Sequence, residues 1–294
     1  MSRPLFDRLA LVGLGLIGSS LARVVKCEGL AGHIAGTALS KATRDKAMAL
    51  GFLDSVHDGI AAAVAGADLV VVCTPLGAYA EIGAAMRDHL APGAIVSDVG
   101  SVKQAVIRDL GPSMPEGAHL VPGHPVAGTE HSGPESGFPE LFRGRWCILT
   151  PPPGTREEAV EKVAELWRRA GSQVEIMDPA HHDRVLAITS HLPHLIAYTI
   201  VGTATDLADA TRSEVIKFSA GGFRDFTRIA ASDPVMWRDI FINNKEALLE
   251  MFARFSEDAQ SLARAVRWND TGYIEDKINR SRKIRKSLID IKQA

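Results

Sequence analysis

The segment Gly13-Leu14-Gly15-Leu16-Ile17-Gly18 constrains this chain more than any other. It lies between an apolar run, Leu9-Ala10-Leu11-Val12, and a helical stretch from Ser19 to Val25. A G-x-G-x-x-G set between strand and helix folds as the first turn of a dinucleotide-binding βαβ unit. Gly13 makes the tight turn and Gly15 admits the pyrophosphate. Gly18 lets helix and strand pack closely, and the helix N-terminus faces the phosphates. Leu16 and Ile17 complete this cofactor-binding turn. Ligands of open α/β sheets bind outside the carboxyl ends of the strands. Thr74 and Pro75, which close the apolar run 67–75, are therefore expected to contact the nucleotide as well.

Up to about residue 177 strand-like and helix-like segments alternate. Residues 33–38 read as a second strand and 43–50 as a helix closed by Gly51. The segment 67–75 contains a continuous apolar run, as a parallel strand buried on both faces should. Residues 94–99 repeat that pattern after a Pro92-Gly93 turn. Further short strands are expected at 118–121 and 146–149, an amphipathic helix at 157–169 and a last strand at 173–177. The alternation predicts an α/β, Rossmann-like N-terminal domain over 1–177, a doubly wound sheet with an extension.

After Asp178 helical periodicity takes over, so 178–294 is expected to be an all-α domain. Ser232-Asp233-Pro234 is a helix start with a capping side chain just before proline. Apolar residues then recur at helical spacing from Trp237 to Val266. One helix of roughly 30 residues would be about 45 Å long. That exceeds what its own domain can cover, so a homodimer is expected.

Composition narrows the classes of partner. The chain has 294 residues, 46% hydrophobic and 23% charged, with a formal net charge of −2. Nothing in that balance argues for nucleic acid or a membrane surface. The apolar stretch 185–201 is interrupted by His191, Pro193 and His194, which argues against a membrane span. No signal-peptide pattern precedes the first strand, so the cytoplasm is the expected location. Cys27, Cys73 and Cys147 lack metal-ligand spacing, and the last two sit in strand-like runs where buried thiols are expected.

Candidate chemistry begins with Gly123-His124-Pro125-Val126-Ala127-Gly128-Thr129-Glu130. Pro125 restricts its neighbour, and the flanking glycines suit a strained loop that approaches another object closely. An imidazole held there suits a general base. Asp98-Val99-Gly100-Ser101-Val102-Lys103 lies at the carboxyl end of a predicted parallel strand, where Ser101 would reach the nicotinamide region. In Ser190-His191-Leu192-Pro193-His194 the two histidines share a helix face. The run 221–228 offers Arg224 and Arg228, guanidiniums suited to carboxylates. His181-His182-Asp183 invites a metal, but adjacent helical residues point in different directions. No metal is expected there, only a surface or interdomain helix start.

Taken together, GLGLIGSS, DVGSVK, GHPVAGTEHSG, SHLPH and GFRDFTRIAASDPVMWRDI make the chain resemble the prephenate and arogenate dehydrogenases, also called cyclohexadienyl dehydrogenases. The likeness runs nearly end to end. It implies an NAD(P)-dependent oxidative decarboxylation in tyrosine biosynthesis, with a Rossmann-like domain followed by a helical, dimer-forming, substrate-binding domain. His124 would accept the hydroxyl proton at C4 of the substrate ring. Ser101 would hydrogen-bond that hydroxyl or the imidazole. His194 and Arg228 would contact the substrate's polar ends, with His191 close by. Glu130, Asp183, Asp225 and Trp237 are candidates for supporting these groups or for a gate. Whether tyrosine inhibits is left open; because it resembles the product, any inhibition by it is expected to be competitive with substrate.

Nucleotide choice stays open. An NAD enzyme should show an acid about 20 residues past the fingerprint. Gly36-Thr37-Ala38-Leu39-Ser40-Lys41 has none, and Ser40, Lys41 and Arg44 are the substitutes for a 2′-phosphate site. NAD or NADP is the expected cofactor, with NADP tolerated. Two rival readings remain. A β-hydroxyacid dehydrogenase would want a lysine followed one turn later by an asparagine, an order that Asn243, Asn244 and Lys245 do not give. A non-catalytic nucleotide sensor would have no use for His124, Ser101, His194 and Arg228 together.

Overall fold

Strand β1 (Phe6–Val12) shows how the alternation becomes a sheet with two covered faces. Leu9 and Leu11 enter one core with Leu69 and Val71 of β4 (Leu69–Val72), while Ala10 and Val12 enter the other with Val70 and Val72. The computed structural model describes residues 3–129, 131–206, 214, 217 and 221–290; Glu130 lies outside them. With β2 (Ala31–Thr37), β3 (Ser55–His57), β5 (Ile95–Asp98) and β6 (His119–Val121) these strands form a parallel six-stranded sheet, ordered β3-β2-β1-β4-β5-β6. The order reverses between β1 and β4, so their carboxyl ends flank the crevice where such sheets bind ligands. Helices α1 (Leu16–Cys27), α2 (Lys41–Ala49), α3 (Ile60–Val64), α4 (Tyr79–Met86) and α5 (Lys103–Leu110) link the strands.

The expected extension is a sheet of its own. β7 (Gly123–Pro125) runs antiparallel to β8 (Trp146–Leu149), and β8 runs parallel to β9 (Gln173–Ile176). Helix α6 (Glu157–Arg169) buries Val163, Leu166 and Trp167 in the core shared with β1. This corrects the expectation of a strained histidine loop. His124 is paired with Ile148 in a strand, and neither Gly123 nor Gly128 has a positive φ. Of the two thiols expected to be buried, Cys147 is, while Cys73 is only half-buried.

Beyond β9 the structure is helical. Asp178 caps α7 (Pro179–Leu186) by accepting from the His181 N–H at 2.9 Å. A π-helical turn (Ala187–His191) joins α7 to α8 (Leu192–Thr205). The run Pro179–Thr205 has the length to cross a membrane and contains an 18-residue window of mean hydropathy 1.4, yet the run buries His182, Asp183 and His191 inside the protein. Helix α9 (Gly221–Thr227) and a 3₁₀ turn (Arg228–Ala231) lead to α10 (Pro234–Asn243), capped by Asp233 as its sequence indicates. The single helix expected through Val266 is interrupted. Asn244 leaves helical geometry at φ −114° and ψ 29°, and α11 (Lys245–Arg267) and α12 (Thr271–Asp290) follow. By compactness the chain divides into Met1–Lys245 and Glu246–Ala294.

Candidate active site

The glycine turn has the shape its sequence requires. Gly13 has φ +105°, and a Cβ there would press on the Cys73 carbonyl; one at Gly18 would strike the Gly13 carbonyl. A Cβ on Gly15 would meet nothing within 4 Å, so the backbone there faces open space. Gly15 is also the N-cap of α1, and no side chain caps that end, which leaves its N–H groups for an anion. Leu16 and Ile17 form the first turn, half-buried. Across the crevice the Thr74 hydroxyl is buried without a partner among the described residues, and Pro75 beside it is exposed. An open backbone cradle, a helix N-terminus and an orphaned hydroxyl fit a dinucleotide pyrophosphate. At the far end of this crevice Ser40 caps α2 by accepting from the Thr43 N–H at 3.0 Å. Arg44 donates to the Ala38 and Leu39 carbonyls and to Asp58, and Lys41 pairs with Asp45.

A buried ion pair fixes the strand that carries His124. Lys103 and Asp98 are both wholly buried, 0% exposed. The Lys103 ammonium donates to both Asp98 oxygens, at 2.9 and 2.8 Å, and to the Gly123 carbonyl at 2.6 Å. Asp98 in turn accepts from the N–H groups of Gly100 and Gly123 and from the Tyr79 hydroxyl. Both backbone groups of Gly123 are thus held by one charge pair. Burial pulls the Lys103 pKa down against the opposing attraction of Asp98, and burial with Asp98 pushes Tyr79 well up.

His124 itself is 7% exposed, and its Nδ1 lies 2.8 Å from Nε2 of His182. His182 Nδ1 lies 2.8 Å from the Asp183 carboxylate, which also accepts from the N–H groups of Lys103 at 2.7 Å and Gln104 at 3.0 Å. A carboxylate only accepts. His182 therefore carries its proton on Nδ1, accepts from His124 at Nε2, and leaves Nε2 of His124 with a free lone pair. Burial first, then the charges of His182, Lys103 and His191, hold His124 well below the ordinary imidazole range. Burial also lowers His182, against the pull of Asp183. Burial alone would raise Asp183, but its bonds from His182, Gln104 and Lys103 outweigh that and keep it ionised. Of the two alternatives expected here, a surface or an interdomain helix start, the surface one holds only for His181, which is exposed, while His182 and Asp183 are buried and joined to the candidate base.

His191 and His194 meet on one indole. His194 stacks on Trp237 with ring centroids 3.5 Å apart, and His191 approaches the same ring edge-on at 6.1 Å. His194 Nδ1 donates to the Ser190 carbonyl at 2.9 Å, which leaves its Nε2 as the acceptor. Burial lowers its pKa and the nearby charge of Arg228 lowers it further. Asn244 donates to the Asp183 carbonyl at 2.8 Å and to His191 Nδ1 at 3.0 Å, so His191 keeps its proton on Nε2. That Nε2 is buried with no partner among the described residues, and burial holds the ring near a pKa of about 4. Ser101 is half-buried, two residues before Lys103, and no hydrogen bond joins it to His124, whose Nδ1 is taken by His182. Arg228 and Asp225 are exposed. Asp239, two residues along α10 from Trp237, accepts from the Gly77 N–H at 3.0 Å in the loop after Thr74.

The structure thus gathers His124, His191, His194 and Trp237, and adds Asp98, Lys103, His182, Asn244 and Asp239, to which sequence reasoning assigned no role in the site. Adjacent His182-Asp183 was the one readable signal for the added chain.

Comparisons with known proteins bear on the whole chain. Residues 21–176 match the prephenate dehydrogenase nucleotide-binding domain and residues 178–279 the prephenate dehydrogenase dimerization domain. A cyclohexadienyl dehydrogenase of Zymomonas mobilis is 41% identical over 283 residues, covering 96% of each chain. A prephenate dehydrogenase of Bacillus subtilis is 35% identical, over 90% of this chain and 71% of its own. The solved prephenate dehydrogenase of A. aeolicus, in complex with hydroxyphenyl propionate and NAD+, superposes with a TM-score of 0.89 at 32% identity, covering 98% of this chain and 99% of that one.

Proposed function

The chain belongs to the prephenate dehydrogenase family, and on that premise we propose that His124 is the base of its reaction. The enzyme carries out the NAD(P)-dependent oxidative decarboxylation of prephenate, arogenate or both, forming 4-hydroxyphenylpyruvate or tyrosine. When bound, the nicotinamide accepts the hydride from C4 of the substrate ring. His124 takes the C4 hydroxyl proton at Nε2, the nitrogen left free by its bond to His182. Ser101 orients that hydroxyl. His194 offers Nε2 and His191 an Nε2–H to the substrate's polar ends, with Arg228 at a carboxylate. Gly13, Gly15, Leu16, Ile17, Gly18, Thr74 and Pro75 hold the nucleotide, with Ser40 near its ribose.

The observation that carries this reading is the direction of the His124–His182–Asp183 bonds, which presents a neutral, pre-aimed imidazole lone pair. His124→Asn is expected to lower turnover by about 10²-fold or more while the nucleotide still binds, measured by reduced-nicotinamide absorbance and by nucleotide titration. Turnover near that of the parent would remove His124 from the role.

Both nucleotides are expected to serve, because residues 38–44, directly after β2, hold no acid to repel a 2′-phosphate; the first is Asp45. The functional division falls at residues 177 and 178, nucleotide before and substrate after, with the helical part forming a homodimer in the cytoplasm. Any inhibition by tyrosine is expected to arise at the same site, in competition with substrate. Light scattering is expected to give a mass near twice 31.5 kDa.

A further inference from the structure

We propose that His182 is the proton store of this site: it receives the Nδ1 proton of His124 when His124 takes the substrate's hydroxyl proton, and it hands the proton back to complete the product. The proposal rests on the reading of His124 as the base. The chemistry gives such a store a use. The O–H bond breaks and its electron pair forms a C=O bond, while the C4–H pair leaves to the nicotinamide. The pair of the C1–carboxylate bond then closes the aromatic ring as carbon dioxide departs, and the carbonyl oxygen becomes a phenolate. Substrate and phenolic product each carry one hydroxyl proton, so a proton held in the site can be returned to the phenolate with no net release.

His124 is a poor place to keep it. Its ring is buried, Lys103 and His191 face it, and among the described residues no carboxylate bonds to it. His182 is equally buried, but its Nδ1 bonds to Asp183, and Asp98 adds attraction from β5 against the repulsion of Lys103. Asp183 is itself anchored by two N–H groups at the start of α5, so it cannot turn away. As a proton reaches Nε2 of His124, its Nδ1–H bond breaks and an Nε2–H bond forms on His182, 2.8 Å away. The cation then sits between Asp183 and a neutral His124. Burial lowers both rings, but the charges facing His124 lower it further while Asp183 and Asp98 pull His182 back up, in keeping with a proton that rests on His182. His182 acts through His124 and is a positioning residue.

His182→Gln keeps an oxygen able to accept from His124 but cannot hold a proton. Its turnover is expected to fall about tenfold or more, with nucleotide affinity unchanged. Two readouts separate a proton store from a prop. The acidic limb of kcat/KM should move to lower pH, because protonation must then fall on His124. The solvent proton inventory should change from curved to linear as two moving protons become one. His181→Gln, an exposed neighbour, should leave both as in the parent. Nitrogen NMR of the unmodified protein, titrated with acid, should place the first proton of the pair on His182. An acidic limb or a proton inventory unchanged in His182→Gln overturns the proposal, as does a first proton on His124. If His124→Asn remains active the base assignment itself falls; if it is inactive while His182→Gln keeps the parent's profile, only the store falls.

Discussion

Lys103 and Asp98 show what a buried charge is for at the scale of one residue. Removing two charges from water costs several kcal/mol per ion, and good geometry only offsets it. Here the ammonium has three acceptors and the carboxylate several donors, so every polar group is satisfied, and the beneficiary is the backbone of Gly123 next to His124. Breaking one partner strands the other. Lys103→Met is expected to destabilise the fold by about 3–5 kcal/mol, and Lys103→Met with Asp98→Asn to recover part of that loss. Urea unfolding of the single and double variants measures both. Equal midpoints for parent and Lys103→Met would mean that Asp98 finds other partners.

At the scale of elements, the fate of the helix after Asp233 is instructive. Its apolar spacing continues through Asn244, so nothing in the periodicity marks a break. The break comes from the site: Asn244 turns its amide inward to Asp183 and His191 and gives up helical geometry to do so. Asn244→Ala leaves a buried carbonyl and a buried ring nitrogen without a donor. At about 1–3 kcal/mol for such a loss, unfolding should come earlier, and KM should rise as His191 loses its fixed proton. A variant with the parent's stability and KM would make the contact incidental. The same logic sets how much was legible beforehand. Strands β1, β4 and β5, the glycine turn, helix α6 and the Asp233 cap are local patterns, and they appear where their residues place them. His124 was legible from its neighbours in sequence, although its strand pairing with β8 was not, because Gly123–Pro125 is too short to show a period. His182 showed only its adjacency to Asp183, because its other partner, His124, is 58 positions away in the chain. Asp239 and Gly77 meet across 162 positions for the same reason.

The whole molecule inherits an acid sensitivity from the cluster of buried neutral histidines. His191, with a folded pKa of about 4 against 6.5 for an ordinary imidazole, binds its proton far more readily when the chain is unfolded. Below about pH 6.5 the unfolded state therefore takes up a proton that the folded state refuses, and stability falls as pH falls. The loss from this group grows until the pH reaches its folded value, and amounts to about 3 kcal/mol at 1.36 kcal/mol per unit. His124 and His182 are lowered in the same direction and add to it. Asp183 is depressed instead, so its contribution is present above the ordinary carboxylate range and is lost only at lower pH, after the histidines have acted. The expected record is an unfolding free energy that declines steadily from about pH 6.5 to about pH 4, then drops further as the carboxylates protonate. Urea midpoints taken at half-unit steps and constant protein concentration check it. His191→Asn, which removes one titrating ring, should flatten the upper part of that decline. A profile level between pH 6.5 and 4.5 would mean that the histidines take up protons without unfolding, and with it the claim that this site holds its imidazoles neutral would fail.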